Sequence, residues 1–334
     1  MAITTDHTGG RAMRAVRSPG RTGWGGARNR RTVVAWGMLT PALLGLGVFF
    51  LYPLAANIFY SFTRFDLVSA PRWVGLRNYQ YLFTQDPSIV KASLNTLWFV
   101  AILVPVRIAS ALVVAGLIVR AKHASGFWRT LFYLPALVPP VASVVAFVFL
   151  FNPGTGPVNL VLSHLGIHGP LWFNDPAWSK PSLVLLGMWV LGDIMIIFVA
   201  ALLDVPRDQY EAASLDGANG LQKVVFVTLP NLVPVLIFAV ITGVIAALQY
   251  FTEAVVASGV ASGKTGVESQ NLSLVIGYPD NSLLTYTGWL YARGFGSFQL
   301  GYAAAMAVLL FVVATVFIAA LLRRFNAFST GADS

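Results

Sequence analysis

Cysteine is absent from this 334-residue chain, which excludes disulfides and thiolate metal sites. Charge is scarce too: Asp, Glu, Lys and Arg make up 10% of the residues, against roughly a quarter in soluble domains. Histidine occurs only at His7, His123, His164 and His168. The last two are four apart, a spacing that binds metal on a helix. However, Gly166, Gly169 and Pro170 oppose a helix there, and no carboxylate lies close before Asp175. No metal site is expected. No nucleophile–base arrangement or pair of catalytic acids stands out, so no catalytic residue is assigned and the chain is not expected to be an enzyme.

Apolar residues are abundant, at 57% of the chain, and mean hydropathy is +0.72. Six segments, 33–59, 93–119, 130–151, 182–204, 231–257 and 298–322, approach or exceed the roughly 20 residues a helix needs to cross a bilayer. Hydrocarbon offers no partner for backbone N–H and C=O groups, so each is predicted to be a helix. The expected fold class is an all-α integral membrane protein with six transmembrane helices.

Lys and Arg orient these spans. With the N-terminus inside, the cytoplasmic pieces are 1–32, 120–129, 205–230 and 323–334, which are short and hold seven, three, two and two Lys or Arg residues. The longer outer loops hold Arg64, Arg72, Arg77, Lys91, Lys180, Lys264 and Arg293. Both termini are thus predicted to be cytoplasmic. Residues 1–32 read as a Gly/Arg-rich, disordered arm, 33–325 as the six-helix transmembrane domain and 326–334 as a tail. The net charge of +9 is a topology and lipid-headgroup signal, with no nucleic-acid partner implied. Arg30–Arg31 precede an apolar run as in a twin-arginine signal, but five further spans follow, and a removable leader is not expected.

Two short patterns do not carry chemistry. SGVASGKT, residues 258–265, departs from G-x-x-x-x-G-K-[ST] because Ser258 stands at the first glycine position. It reads as an outer loop. Asn271-Leu272-Ser273 fits a glycosylation acceptor, a pattern short enough to recur by chance.

The informative polar segment is 205–230, between the fourth and fifth spans. Asp208 followed by Glu211 resembles a capping box that starts a helix near Gln209. Leu215, Ala218, Leu221 or Gln222, and Val225 recur at helical spacing. Gly217 and Gly220 predict two short helices rather than one rod. Thr228-Leu229-Pro230 is predicted to stop the segment, with Pro230 in the first turn of span five. A helix lying on the membrane surface would carry Lys and Arg on its polar face; this one carries Asp208, Glu211 and Asp216. Small residues Ala212, Ala213, Gly217 and Ala218 leave room for a second surface, so the segment reads either as a surface connector or as a docking knob.

Glu211-Ala212-Ala213, Asp216-Gly217-Ala218 and Leu229-Pro230 resemble the EAA motif of ABC importer permeases. Asn219, Leu221 and Val224 depart from the serine, tryptophan and phenylalanine frequent in the carbohydrate version. Trp73-Val74-Gly75-Leu76-Arg77-Asn78-Tyr79, Asn95-Thr96, Tyr133-Leu134-Pro135 and Gly301 to Met306 extend the likeness over about residues 36–325. The order is most similar to the first permease of maltose-F or glycerol-phosphate-A type. The resemblance implies a type I permease fold in a bacterial cell membrane and a heterodimer with a second, homologous permease. It also implies two ATP-binding subunits that hold ATP and Mg, and an extracellular solute-binding protein. Glu211, Ala212, Ala213, Asp216, Gly217, Ala218, Leu229 and Pro230 would then couple to the ATPase, driving alternating access for a sugar or oligosaccharide. No cofactor is expected in the chain itself.

In that family spans two to five line the path. Arg107 and Asp193 lie at mid-span, where an ionisable residue costs at least about 2.5–3.5 kcal/mol and is expected to face the interior. They either pair with each other or meet solute or a gate. Thr242, Gln249 and Glu253 lie in span five, the last two four apart and expected on one face. With Tyr250 and Trp189 they form either a saccharide-binding set or helix–helix contacts. A glycerol-phosphate or polyol cargo stays open, as does a stand-alone secondary transporter, although no repeat of one half in the other is visible.

Overall fold

The structure is a computed structural model that describes residues 24–121, 124–263 and 275–329. The chain divides into two compact units, one ending at Ala56 and one starting at Asn57. The first unit holds α1, Trp24–Leu46, a π turn at Gly47–Leu51, and the start of α2, Tyr52–Ser61. Its large apolar side chains, Met38, Phe49 and Tyr52 among them, are exposed. Trp24–Thr32 therefore belong to a helix, which corrects the boundary of the expected arm; residues 1–23 lie outside the described residues.

In the second unit a two-stranded ribbon, β1 Thr63–Arg64 and β2 Arg72–Trp73, pairs Thr63 with Trp73. Then come α3, Arg77–Thr84, and α4, Ile89–Arg120. α5, Ser125–Tyr133, leads through a 3₁₀ turn into α6, Pro140–Leu150, and α7 covers Pro157–His164. α8, Ser179–Trp189, and α9, Gly192–Asp204, follow. α10, Arg207–Leu215, and α11, Gly220–Lys223, precede α12, Leu229–Leu248, and α13, Thr252–Ala261. α14, Tyr286–Tyr291, and α15, Leu300–Ser329, complete the described chain.

Among the described residues four helical stretches are long and apolar enough to cross a bilayer unbroken: Val34–Ser61, Ile89–Arg120, Gly220–Leu248 and Leu300–Arg323. Two bent pairs bring the number to six. Span three bends by 96° between Ser125–Leu137 and Pro140–Leu150. Val138 and Pro139 are extended there, with ψ of 132° and 136°, the conformation favoured before proline. Span four bends by 48° between α8 and α9. Span five ends at Leu248, so the expected segment 231–257 is two helices, and Ser258–Ala261 finish α13 rather than forming a loop. Lys264 and Asn271 fall outside the described residues.

α4 is the central helix, packed against α8, α9, α12 and α14. Ala111 and Ala115 have no exposed surface, and Met195, Phe198 and Leu232 fill the space beside them. Lipid is as apolar as these side chains, so close packing of small residues, not expulsion of water, holds this seam. A second cluster centres on Phe99, Val144, Leu183 and Ala254, and a third on Leu82, Ala92, Leu284 and Met306.

The family-like motifs act as backbone anchors. Asn78 donates to the carbonyls of Ser61 and Thr63 at 2.8 and 2.9 Å, and Tyr79 donates to the Ser61 hydroxyl. Asn95 donates to the carbonyls of Asn281 and Leu284, while Thr96 Oγ1 accepts from the Tyr286 N–H. Gly301 packs against the ribbon, its N–H donating to Phe65 O at 3.1 Å.

Candidate functional site

The segment 205–230 folds as a helical hairpin. α10 starts at Arg207 with Pro206 as its N-cap and no side-chain cap, so the expected Asp208–Glu211 capping box is not formed. A proline just ahead of the helix holds extended backbone, and the first turn begins two residues earlier than an Asp208 cap would set it. The capping box stands at α11 instead: Gln222 N–H donates to Asn219 Oδ1 at 2.9 Å, and Asn219 N–H donates to Gln222 Oε1 at 2.7 Å.

Between the two helices Gly217 adopts φ +77°, a left-handed turn that suits glycine. It lets Ala218 N–H close on Ala213 O at 2.9 Å. Three contacts tie the hairpin to the helix behind it. Tyr210 and Thr228 hydroxyls lie 2.9 Å apart, Lys223 Nζ donates to Ser214 Oγ at 2.7 Å, and Asn231 donates to Gln209 Oε1 at 2.7 Å.

Thr228-Leu229-Pro230 does not stop the chain. Gly220–Leu248 is one continuous stretch of helix with a π turn at Val224–Thr228. Pro230 sits in the first turn of α12, and its ring would crowd the carbonyl four residues back, where the widened turn lies. Of the motif residues, Glu211, Ala212, Asp216, Gly217 and Pro230 are exposed, while Ala213, Ala218 and Leu229 are half-buried. Leu215 is 90% exposed and Leu221 and Phe226 are 74% exposed.

The second site lies where three helices break. Arg107 Nη2, from α4, donates to Asp193 Oδ1 at 2.8 Å and Oδ2 at 3.0 Å. It also donates to Val190 O at 2.9 Å, a carbonyl freed by the α8–α9 break. Asp193 is in the first turn of α9, where the helix dipole favours a carboxylate. The pairing reading of these residues is therefore realised.

Gln249 and Glu253 are not on one helical face, because α12 ends at Leu248 and α13 begins at Thr252. The break still brings them together. Gln249, Tyr250 and Glu253 line a cavity of about 260 Å³ with Arg107. Arg107, Tyr250 and Glu253 also border a second cavity of about 150 Å³, reached by Val138 and Pro140 at the break in span three. Tyr250 stacks near Phe99 at 4.9 Å, and its carbonyl accepts from Thr287 Oγ1 at 3.0 Å. Trp189 packs on Phe147 and lines neither cavity, and Thr242 is bonded back to Phe238 O. Among the described residues Glu253 has no ion-pair partner, and no group of acids and histidines could hold a metal. His164, the last residue of α7, has Nδ1 2.7 Å from Leu160 O.

Sequence reasoning missed Asp86. Its side chain is fully buried and accepts from Trp289 Nε1 at 2.9 Å and from Tyr302 OH at 2.6 Å, beside Arg293 at 3.6 Å. The only local signal was an acid followed by proline in an outer loop.

The chain is similar to known transport proteins. The family described as "Binding-protein-dependent transport system inner membrane component" matches residues 108–327. The probable ABC transporter permease protein YesP of Bacillus subtilis is 34% identical over 84% of this chain and 86% of its own. The arabinooligosaccharides transport system permease protein AraP of the same organism is 30% identical over 89% and 90%. Among solved structures, a bacterial alginate ABC transporter in complex with an alginate pentasaccharide-bound periplasmic protein aligns with a TM-score of 0.68. It is 22% identical and covers 88% of this chain and 94% of that one.

Proposed function

We propose, from the premise that this chain belongs to the binding-protein-dependent transport system inner membrane component family, that it carries a sugar or oligosaccharide inward along a path past the cavity beside Arg107. The chain is a multi-pass permease of an ABC importer in the bacterial inner membrane. AraP is named for arabinooligosaccharides, which supports a sugar or oligosaccharide as cargo here too. In this reading a second, homologous permease completes the pathway, two ATP-binding subunits dock below, and a solute-binding protein delivers cargo above. Catalysis of ATP hydrolysis belongs to those subunits.

The observation that carries the mechanism is the hairpin 205–230, held by the Tyr210–Thr228 and Lys223–Ser214 contacts while Glu211 and Leu215 point outward. A partner seated on that face would move α12 directly, since α11 continues into it. Closure of the ATPase pair would draw the hairpins together and switch access at the cavity beside Arg107. Arg107, Gln249, Tyr250 and Glu253 then line the path, Asp193 takes part through its pairing with Arg107, and Trp189 lies outside it.

The test exploits the lack of cysteine. Ala212→Cys, at an exposed position, becomes the only thiol in the chain. In cells expressing the native system, a short thiol-to-amine cross-linker should trap an ATP-binding subunit identifiable by mass spectrometry. Full labelling of the thiol without any cross-linked protein would overturn the docking role.

A further inference from the structure

The cavity at the helix breaks has an unusual charge balance. Arg107 supplies a single guanidinium, and Asp193 already occupies its Nη2 with both carboxylate oxygens. Glu253 is an acid on the cavity wall itself and has no ion-pair partner among the described residues. Arg107 Nε is buried and donates to no group among the described residues. Gln249, exposed on the cavity wall, offers an amide that both donates and accepts.

We propose that Asp193 is a specificity-determining residue: by holding Arg107 it denies that cation to a carboxylate or phosphate on the cargo, so the path admits uncharged saccharides and rejects acidic ones. This rests on the reading of the cavity as the cargo path. A carboxylate's best partner is an arginine fork, and here one oxygen pair is already in place. An acidic cargo must displace Asp193, or approach the Arg107 guanidinium next to two like charges. Either route also strips an anion of water with no net positive charge to receive it. A hydroxyl meets neither obstacle: it can accept from the guanidinium and donate to the Gln249 amide oxygen without a change in charge. A glycerol-phosphate cargo, open on the residues alone, is thereby disfavoured.

The cavity's field can be measured without knowing the cargo. Ala246→Cys places a lone thiol on the cavity wall at an exposed position. In the purified native complex, its reaction rates with a cationic and an anionic methanethiosulfonate reagent are compared, each normalised to free cysteine. Removing one negative charge several ångströms away in a partly aqueous site should shift the cation-to-anion ratio on the order of tenfold toward the anion. Asp193→Asn is expected to do this, and Glu253→Gln, which leaves the Arg107 contact intact, should shift it the same way. The cation should also react faster before either change.

A thiol that reacts but whose ratio is unmoved by both substitutions would overturn charge exclusion and leave the path reading standing. A thiol inert to both reagents, in every nucleotide state of the complex, would overturn the path reading itself. Should Asp193→Asn fail to assemble, Glu253→Gln alone decides between the first two outcomes.

Discussion

The hydroxyl of Tyr302 donates to Asp86 Oδ2 at 2.6 Å, joining the loop before the second span to the start of the last one. Trp289 Nε1 donates to the same oxygen, and Arg293 stacks 4.5 Å over the Trp289 ring with its charge directed at the carboxylate. One buried acid thus closes three elements that are about 200 positions away in sequence. Asp86→Ala leaves Arg293 with no ion-pair partner and two donors unmatched, at a cost of about 3–5 kcal/mol. The expected result is a sharp fall in membrane abundance and in the melting temperature of detergent-solubilised complex. Tyr302→Phe removes one hydrogen bond to a charged group, about 1.5–3 kcal/mol, and should fall between that variant and the parent.

Gly301 presses on the ribbon. A Cβ there would overlap the Thr63 carbonyl oxygen, which is backbone and cannot rotate away. Gly301→Ala is expected to destabilise by about 1–3 kcal/mol or more, as overpacking does, and to disturb the Gly301–Phe65 hydrogen bond. Limited proteolysis of the outer loop should therefore speed up; unchanged proteolysis would contradict the close approach.

The Arg107–Asp193 pair can be separated from its transport role by a double-mutant cycle. Asp193 is half-exposed, so screening limits the pair to about 1 kcal/mol of coupling in stability. Arg107→Gln should cost more than the double variant with Asp193→Asn, because the single change leaves a carboxylate without a partner. Thermal melts of all four complexes measure the coupling, and additive losses would mean that the pair is not formed in the assembled protein.

Leu215 makes almost no contact within this chain, so Leu215→Ser should leave its fold and abundance unaltered. If it is a buried anchor in the complex, removing it costs roughly 1–3 kcal/mol of binding, about a five- to 150-fold loss. Co-purification of the ATP-binding subunits against salt or detergent provides the measurement. Retention equal to the parent would place the docking surface elsewhere on the hairpin.

Much of this architecture was legible in the sequence because membrane spanning is written in local composition. Six apolar runs correspond to four unbroken spans and two bent ones, and the mid-span Arg107 and Asp193 could be paired because hydrocarbon leaves them few alternatives. The breaks were only half visible. Prolines marked the bend in span three, but nothing at Val190 or Gln249–Phe251 is a helix breaker, and there tertiary contacts from Arg107 and Thr287 satisfy the loosened carbonyls. That is why Gln249 and Glu253 share a cavity without sharing a face. Asp86 was unreadable for a different reason: its partners lie about 200 residues downstream, and no periodicity links them. At the hairpin, Asp208 and Asn219 both precede a suitable residue by three positions, and Pro206, by fixing the preceding backbone, decided which box formed.

The two freed carbonyls at Val190 and Tyr250 are each clamped by a side-chain donor, so those bends act as stiff brackets rather than joints. The stretch Gly220–Leu248 is 29 residues long, a rod of about 43 Å at 1.5 Å per residue. Its inner end lies in the hairpin and its outer end at Gln249. In the proposed cycle, a displacement of the hairpin would reach the cavity wall as a tilt of this rod.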